Sequence, residues 1–260
     1  MSLACIDAGF QAGGKSLLSG VTARLLPGRF CAILGPNGAG KSTLLSLLSG
    51  QRRPEQGQVQ LDGRPIDSHA AAELALRRAV MPQESSVAFD FNAQEIVTLG
   101  RLPHRAAPEA NESEIVPNAM ALTGVSALGP RILNTLSGGE KARVHLARAL
   151  SQLWNPRPDG ASRWLLLDEP TAALDVAHQH SAMALVRRWA AQGVGVVAVL
   201  HDLNLALRYA DEVIVLGQGR LVAHGPSKQV LQPALVSEVW RTSCELVAGQ
   251  DGTPQYLFAA

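Results

Sequence analysis

The chain is expected to fold as an α/β protein. Three observations carry that expectation: short continuous apolar runs, segments of helical spacing between them, and a long middle stretch without strand character. Residues 30–34 (FCAIL), 164–167 (WLLL) and 194–200 (VGVVAVL) have the length and composition of strands buried on both faces. Residues 57–66 (GQVQLDGRPI) alternate around Asp62-Gly63 and read as a hairpin, as do residues 213–223 around Gly217 to Gly219. From about 92 to 153 Ala, Leu and Glu recur at helical spacing, which predicts a helical subdomain. The polar, Pro- and Gly-containing segment 154–163 (WNPRPDGASR) leads back into the sheet. Residues 226–250 read as a surface helix and one short terminal strand.

Length and composition bound the function. A chain of 260 residues is long enough to bury a sizeable core as one or two domains. Lys plus Arg number 23 and Asp plus Glu 22, and a formal charge of +1 disfavours a nucleic-acid partner. Although 47% of residues are hydrophobic, no run approaches the roughly 20 residues of a membrane-spanning helix. The opening MSLACIDAGF has no basic or cleavable apolar region, so no secretory leader is expected. Cys5, Cys31 and Cys244 are odd in number and scattered, which fits reduced thiols.

Gly35, Pro36, Asn37, Gly38, Ala39, Gly40, Lys41, Ser42 and Thr43 fit G-x-x-x-x-G-K-[ST], with a strand run before and the helical pattern KSTLLSLL after. Glycines let the backbone wrap phosphate oxygens, and its N–H groups then point inward at a helix N-terminus. Lys41 is expected on the terminal phosphates of a bound nucleotide and Ser42 on Mg²⁺. The strand run LLLDEP delivers Asp168 and Glu169 at its C-terminal end, where open α/β sheets bind ligands. Asp168 suits the outer shell of Mg²⁺, and Glu169 is placed to orient and deprotonate water.

Ser137-Gly138-Gly139-Glu140, within LSGGE, is a capping box opening a helix that runs through Leu146, Leu150 and Leu153. Its N–H groups, those of Ser137, Gly138 and Gly139, are expected to be free for a second anion.

With these motifs the chain resembles the nucleotide-binding subunits of ATP-binding cassette (ABC) transporters, over about residues 3 to 250. LSGGE is similar to the family's LSGGQ signature, with Glu140 replacing the carboxamide. The resemblance implies a P-loop NTPase: a RecA-like core with an antiparallel β subdomain, plus an inserted α-helical subdomain. It divides a single domain, 1–260, into a core of 1–84 and 161–260 and a helical, signature-bearing part of 85–160. Gln83 matches the Q-loop, which touches Mg²⁺ and the attacking water. Asp175 matches the D-loop at the dimer interface, and His201 the switch histidine on the γ-phosphate. Phe10 falls where the family stacks an aromatic on adenine. The family further implies a head-to-tail homodimer sharing two ATP molecules, two transmembrane permease subunits, and indirectly a periplasmic binding protein. The place implied is the cytoplasmic face of the bacterial inner membrane.

The stretch 85–105 (SSVAFDFNAQEIVTLGRLPHR) is similar to importers of iron chelates, haem and cobalamin. The segments WNPRPDGASR, DEPTAALDVAHQH and HDLNLALRYAD are most similar to the haem-importing members. Siderophore and cobalamin cargoes stay open, as does a soluble ABC ATPase. His178 and His180, two apart on a helix, face different sides and are not haem ligands.

Overall fold

The computed structural model describes residues 1–83 and 89–258. The expected boundary at 84/85 and the first four residues of the stretch 85–105 lie outside the described residues.

The chain opens with two strands, β1 (Leu3–Ala12) and β2 (Lys15–Leu25), before β3 (Phe30–Leu34). The phosphate-loop segment leads into α1 (Lys41–Leu48), followed by the hairpin β4 (Gln56–Leu61) and β5 (Arg64–Pro65). Asp62 and Gly63 at its turn have φ of 53° and 79°. Two positive φ values in succession are the backbone of a type I′ turn, whose twist matches the flanking strands. Strands β2, β1, β4 and β5 pair antiparallel in that order.

A second sheet is built around β3. It takes β6 (Arg78–Met81), which follows α2 (Ala71–Arg77), then β7 (Trp164–Asp168) and β8 (Gly195–Val199). The hairpin β9 (Glu212–Gly217) and β10 (Arg220–Pro226) completes it, turning at Gln218 and Gly219, again both at positive φ. The order is β10-β9-β3-β8-β7-β6, parallel throughout except for the β9–β10 edge. Every residue of β3 and β8 is buried, which is why their sequences are unbroken apolar runs.

Period-two alternation distributes these side chains between two cores. Trp164, Leu166, Val197 and Val199 pack with Leu44, Leu47 and Leu48 of α1 and with the antiparallel sheet. Leu165, Leu167, Val196 and Ala198 pack on the opposite face. There they meet α6 (Val176–Ala191) and α7 (Leu203–Tyr209).

Between β6 and β7 lie α3 (Ala93–Leu99), α4 (Glu112–Leu122) and α5 (Gly138–Gln152), around a smaller core containing Ile96, Val97, Met120 and Val144. Helix α5 serves two cores, because Leu146, Ala149 and Leu150 belong to the main one. Polar bonds reinforce the join: Arg148 donates to the Val80 carbonyl at 2.8 Å, and Gln152 to those of Ala75 and Arg78 at 2.7 and 2.9 Å.

The C-terminal segment differs from its expected single helix and single strand. It forms α8 (Ser227–Val230), α9 (Pro233–Trp240), β11 (Cys244–Ala248) and β12 (Pro254–Phe258). Pro233 has no N–H to continue a helix, so it starts a new one. Tyr256 anchors the last strand: it is buried, and its hydroxyl donates to the Leu231 carbonyl at 2.7 Å. Among the described residues no helix is long and apolar enough to cross a membrane, and Cys5, Cys31 and Cys244 are free thiols.

Candidate nucleotide-binding site

The phosphate loop connects the buried end of β3 to α1. Gly35, Gly38 and Gly40 have φ of 147°, 78° and 97°, a region that side chains strain to enter. Space is also short: a Cβ on Gly35 would lie 2.2 Å from the Leu216 carbonyl oxygen, and one on Gly40 2.7 Å from that of Leu17. The N–H groups of Lys41, Ser42 and Thr43 stand in the first turn of α1, where no preceding carbonyl can accept them. They face an open cleft of about 510 Å³ lined by Asn37 to Thr43, Leu17, Gln83, Glu169 and His201.

Lys41 is only 6% exposed, and its ammonium donates to the carbonyls of Gly35 and Pro36 at 2.9 and 3.1 Å. Burial lowers its pKa, while Glu169 and Asp168 act in the opposite direction. The ammonium therefore braces the loop that it shares the cleft with. Ser42 Oγ donates to Asp168 Oδ1 at 3.0 Å. Burial holds the Asp168 carboxyl above the usual carboxylate range, with the Ser42 hydrogen bond opposing and the Glu169 charge adding to the rise. Hydroxyl and carboxylate oxygens at this spacing suit a hard cation such as Mg²⁺. Among the described residues no cluster of three or more His, Cys, Asp or Glu could hold a metal alone. A cation here would share its shell with phosphate oxygens.

Glu169 follows β7 with φ of 50°, an uncommon conformation for a residue with a side chain. It turns the carboxylate into the cleft, where Gln83 Nε2 donates to Oε2 at 2.9 Å and His201 Nε2 lies 2.6 Å from Oε1. Both oxygens of one carboxylate are thus held, each by a different side chain. His201 follows β8, and the next residue, Asp202, caps α7 by accepting from the N–H groups of Asn204 and Leu205.

The signature residues lie outside this cleft. Ser137 caps α5: its hydroxyl accepts from the Glu140 N–H at 3.3 Å, while Glu140 Oε2 accepts from the Ser137 N–H at 2.8 Å. This corrects one expectation. The capping box consumes the Ser137 N–H, leaving Gly138 and Gly139 in the helix's first turn as the donors for an anion. Glu140 is not an uncompensated charge either, since Arg131 Nη1 stands 3.5 Å from Oε1. A Cβ on Gly139 would come within 2.9 Å of the Ala173 carbonyl oxygen, so signature and D-loop segments of one chain abut. Asp175 caps α6, accepting from the His178 N–H at 2.8 Å, and the imidazole of His178 lies against the same carboxylate.

Phe10 does not line the cleft. It packs on the core beneath the antiparallel sheet, with the Arg52 guanidinium 5.3 Å over its ring. Leu17 of β2 reaches the cleft instead. Sequence reading missed Leu17 because an apolar residue in an amphipathic strand carries no chemical signal.

The ABC transporter family matches residues 18–172. The hemin import ATP-binding protein HmuV of Gloeobacter violaceus is 49% identical over 226 residues, 86% of this chain and 82% of that protein. That of Burkholderia mallei is 44% identical, covering 95% of this chain and 96% of its own length. Among solved structures, a chain of an ABC transporter in an inward-facing conformation is 25% identical, with a TM-score of 0.81 over 100% of this chain and 98% of that one. The cbiO1 protein from Clostridium perfringens, part of the ABC transporter complex cbiONQ, is 28% identical with a TM-score of 0.74, covering 91% of this chain and 92% of that one.

Proposed function

Since the chain belongs to the ATP-binding proteins of the ABC transporter family, we propose that it is the ATP-hydrolysing subunit of a hemin importer. The observation that carries hydrolysis is the Glu169 carboxylate, fixed between Gln83 and His201 at the mouth of the phosphate loop. Hemin as cargo is supported by the names of relatives 42–49% identical to this chain.

The phosphates of ATP enter over the N–H groups of residues 38–43, with Lys41 on their charge. Ser42, Asp168 and Gln83 would hold Mg²⁺, which when bound would neutralise phosphate charge. Glu169 accepts a proton from water as the water oxygen bonds to the γ-phosphorus and the bond to the ADP oxygen breaks. Gln83 and His201 keep that carboxylate in one orientation, and the imidazole of His201 stands in the same cleft, beside the incoming phosphate. Positioning and charge stabilisation supply most of the acceleration in phosphoryl transfer.

One cleft contains no signature residue, so a second copy supplies Ser137, Gly138 and Gly139 together with Asp175, head to tail. Two transmembrane permease subunits provide the path for hemin, fed indirectly by a periplasmic binding protein. The chain works at the cytoplasmic face of the inner membrane, held there by those partners.

The test is to reconstitute the chain with its permease partners and measure ATP turnover with hemin-loaded, siderophore-loaded and cobalamin-loaded binding proteins. Stimulation by the hemin-loaded protein alone supports the reading. Stimulation only by one of the others reassigns the cargo.

A further inference from the structure

The signature carries a carboxylate where an incoming phosphate must be attracted, and the structure holds a device that offsets it. The Glu140 carboxylate turns back on its own helix end: Oε2 accepts the Ser137 N–H at 2.8 Å, and Oε1 faces Arg131 Nη1 at 3.5 Å. A charged acceptor makes a shorter, stronger bond to the N–H than a carboxamide would, so the capping box is held more firmly. Its carboxyl accordingly lies below the usual range, chiefly through the Ser137 N–H, with Arg131 and Arg143 contributing.

The same charge opposes a phosphate arriving at Gly138 and Gly139. Two cations act on it through space, Arg131 and Arg143. Arg143 is engaged elsewhere, donating to the carbonyls of Gly124 and Thr123 at 2.9 and 3.4 Å. Arg131 is anchored through its backbone, leaving the guanidinium to face the carboxylate. Its N–H donates to the Leu128 carbonyl, and its own carbonyl accepts the Ala93 N–H, each at 2.9 Å.

We propose that Arg131 is a positioning residue for nucleotide capture: it cancels the Glu140 charge, so that the signature end of α5 attracts the γ-phosphate of ATP bound to a second copy. The proposal rests on the reading above that this end meets phosphate. It assigns Arg131 no contact with nucleotide; its action passes through Glu140.

The experiment is a double-mutant cycle on the full chain: native, Arg131→Gln, Glu140→Gln and both together, with ATPase rates measured against ATP concentration in Mg²⁺. The Arg131→Gln protein should need about fivefold more ATP for half-maximal rate, a size set by one half-exposed ion pair, with kcat within about twofold. Adding Glu140→Gln should restore the native ATP requirement to within about twofold, because the charge to be cancelled is gone. Moderate salt should shrink the Arg131→Gln defect, as screening does the work of the guanidinium. Thermal unfolding of all four proteins separates these effects from a damaged fold.

Equal loss on removing Arg131 in both backgrounds would overturn the proposal, as would no loss with Glu140 present. A native chain that turns over no ATP under any condition overturns the hydrolase reading itself, a different outcome from unequal variants of an active enzyme.

Discussion

Glu169 Oε1 stands 2.6 Å from His201 Nε2, and these residues follow adjacent parallel strands. The register of β7 against β8, Asp168 opposite Val199, brings the two strand ends level. The sheet itself therefore delivers carboxylate and imidazole to one side of the phosphate loop. The first prediction concerns this pair. Glu169→Gln keeps an acceptor for Gln83 but loses the base, so ATP turnover should fall about 10²- to 10⁴-fold. Nucleotide binding, followed by a fluorescent ATP analogue, should persist. Turnover within a few-fold of native would remove Glu169 from the proton-accepting role.

Gly35 combines a positive φ with a carbonyl 2.2 Å from where a Cβ would sit. Gly35→Ala must displace the Leu216 backbone or the phosphate loop, at a cost of roughly 1–3 kcal/mol or more. Its melting temperature should drop by several degrees, and Mg-ATP should no longer raise it. A native-like thermal shift would show that the loop accommodates the methyl group.

His145 of α5 is buried, neither ring nitrogen has a hydrogen-bond partner among the described residues, and its pKa is pushed down to about 4 from 6.5, chiefly by burial and then by Arg148 and Lys141. The folded protein thus favours the neutral ring. Between pH 6.5 and about 4 the unfolded chain binds the extra proton, so stability falls as pH falls through that window. The loss reaches roughly 3 kcal/mol at its acid end. His145→Leu should remove this component, and its urea midpoint should lose less than the native value on acidification. Parallel midpoints for the two proteins from pH 7 to pH 4 would contradict the assignment.

Arg101, 5% exposed, joins the loop after α3 to α4 and α5. Its guanidinium donates to both carboxylate oxygens of Glu112 at 2.9 and 2.8 Å and to the Ser151 carbonyl at 2.6 Å. Arg101→Met leaves those acceptors without their donor and should cost about 3 kcal/mol in urea unfolding. Arg101→Lys should recover only part, since one ammonium cannot reproduce the planar fork. Full recovery by Lys would mean that charge alone matters there.

What could be read before the structure follows from how each element is buried. Strands β3, β7 and β8 are enclosed on both faces and announce themselves as unbroken apolar runs. The two strands that open the chain are not legible in the sequence. Register shifts between Cys5 and Ala8 and between Ala8 and Phe10, with Asp7 at φ of 49°, break the alternation that identifies a half-buried strand. Within the site, Lys41, Ser42, Asp168, Gln83, Glu169 and His201 carry recognisable chemistry and are gathered around one cleft and its edge. Arg131 carried no signal, since a surface arginine nine residues before a glutamate has none. The fate of the Ser137 N–H was implicit in the capping box, which spends a donor to fix the helix end.

The separation of the phosphate-loop cleft from the signature bears on how defective chains would combine. On the head-to-tail pairing, each nucleotide draws its cradle from one chain and its cover from the other. A chain crippled at Lys41 and a chain crippled at Ser137 would each be inert alone. Mixed, they would form pairs in which one nucleotide meets two damaged halves and the other meets two sound ones. Two inactive alleles could thus complement each other, whereas two lesions in the same cleft could not.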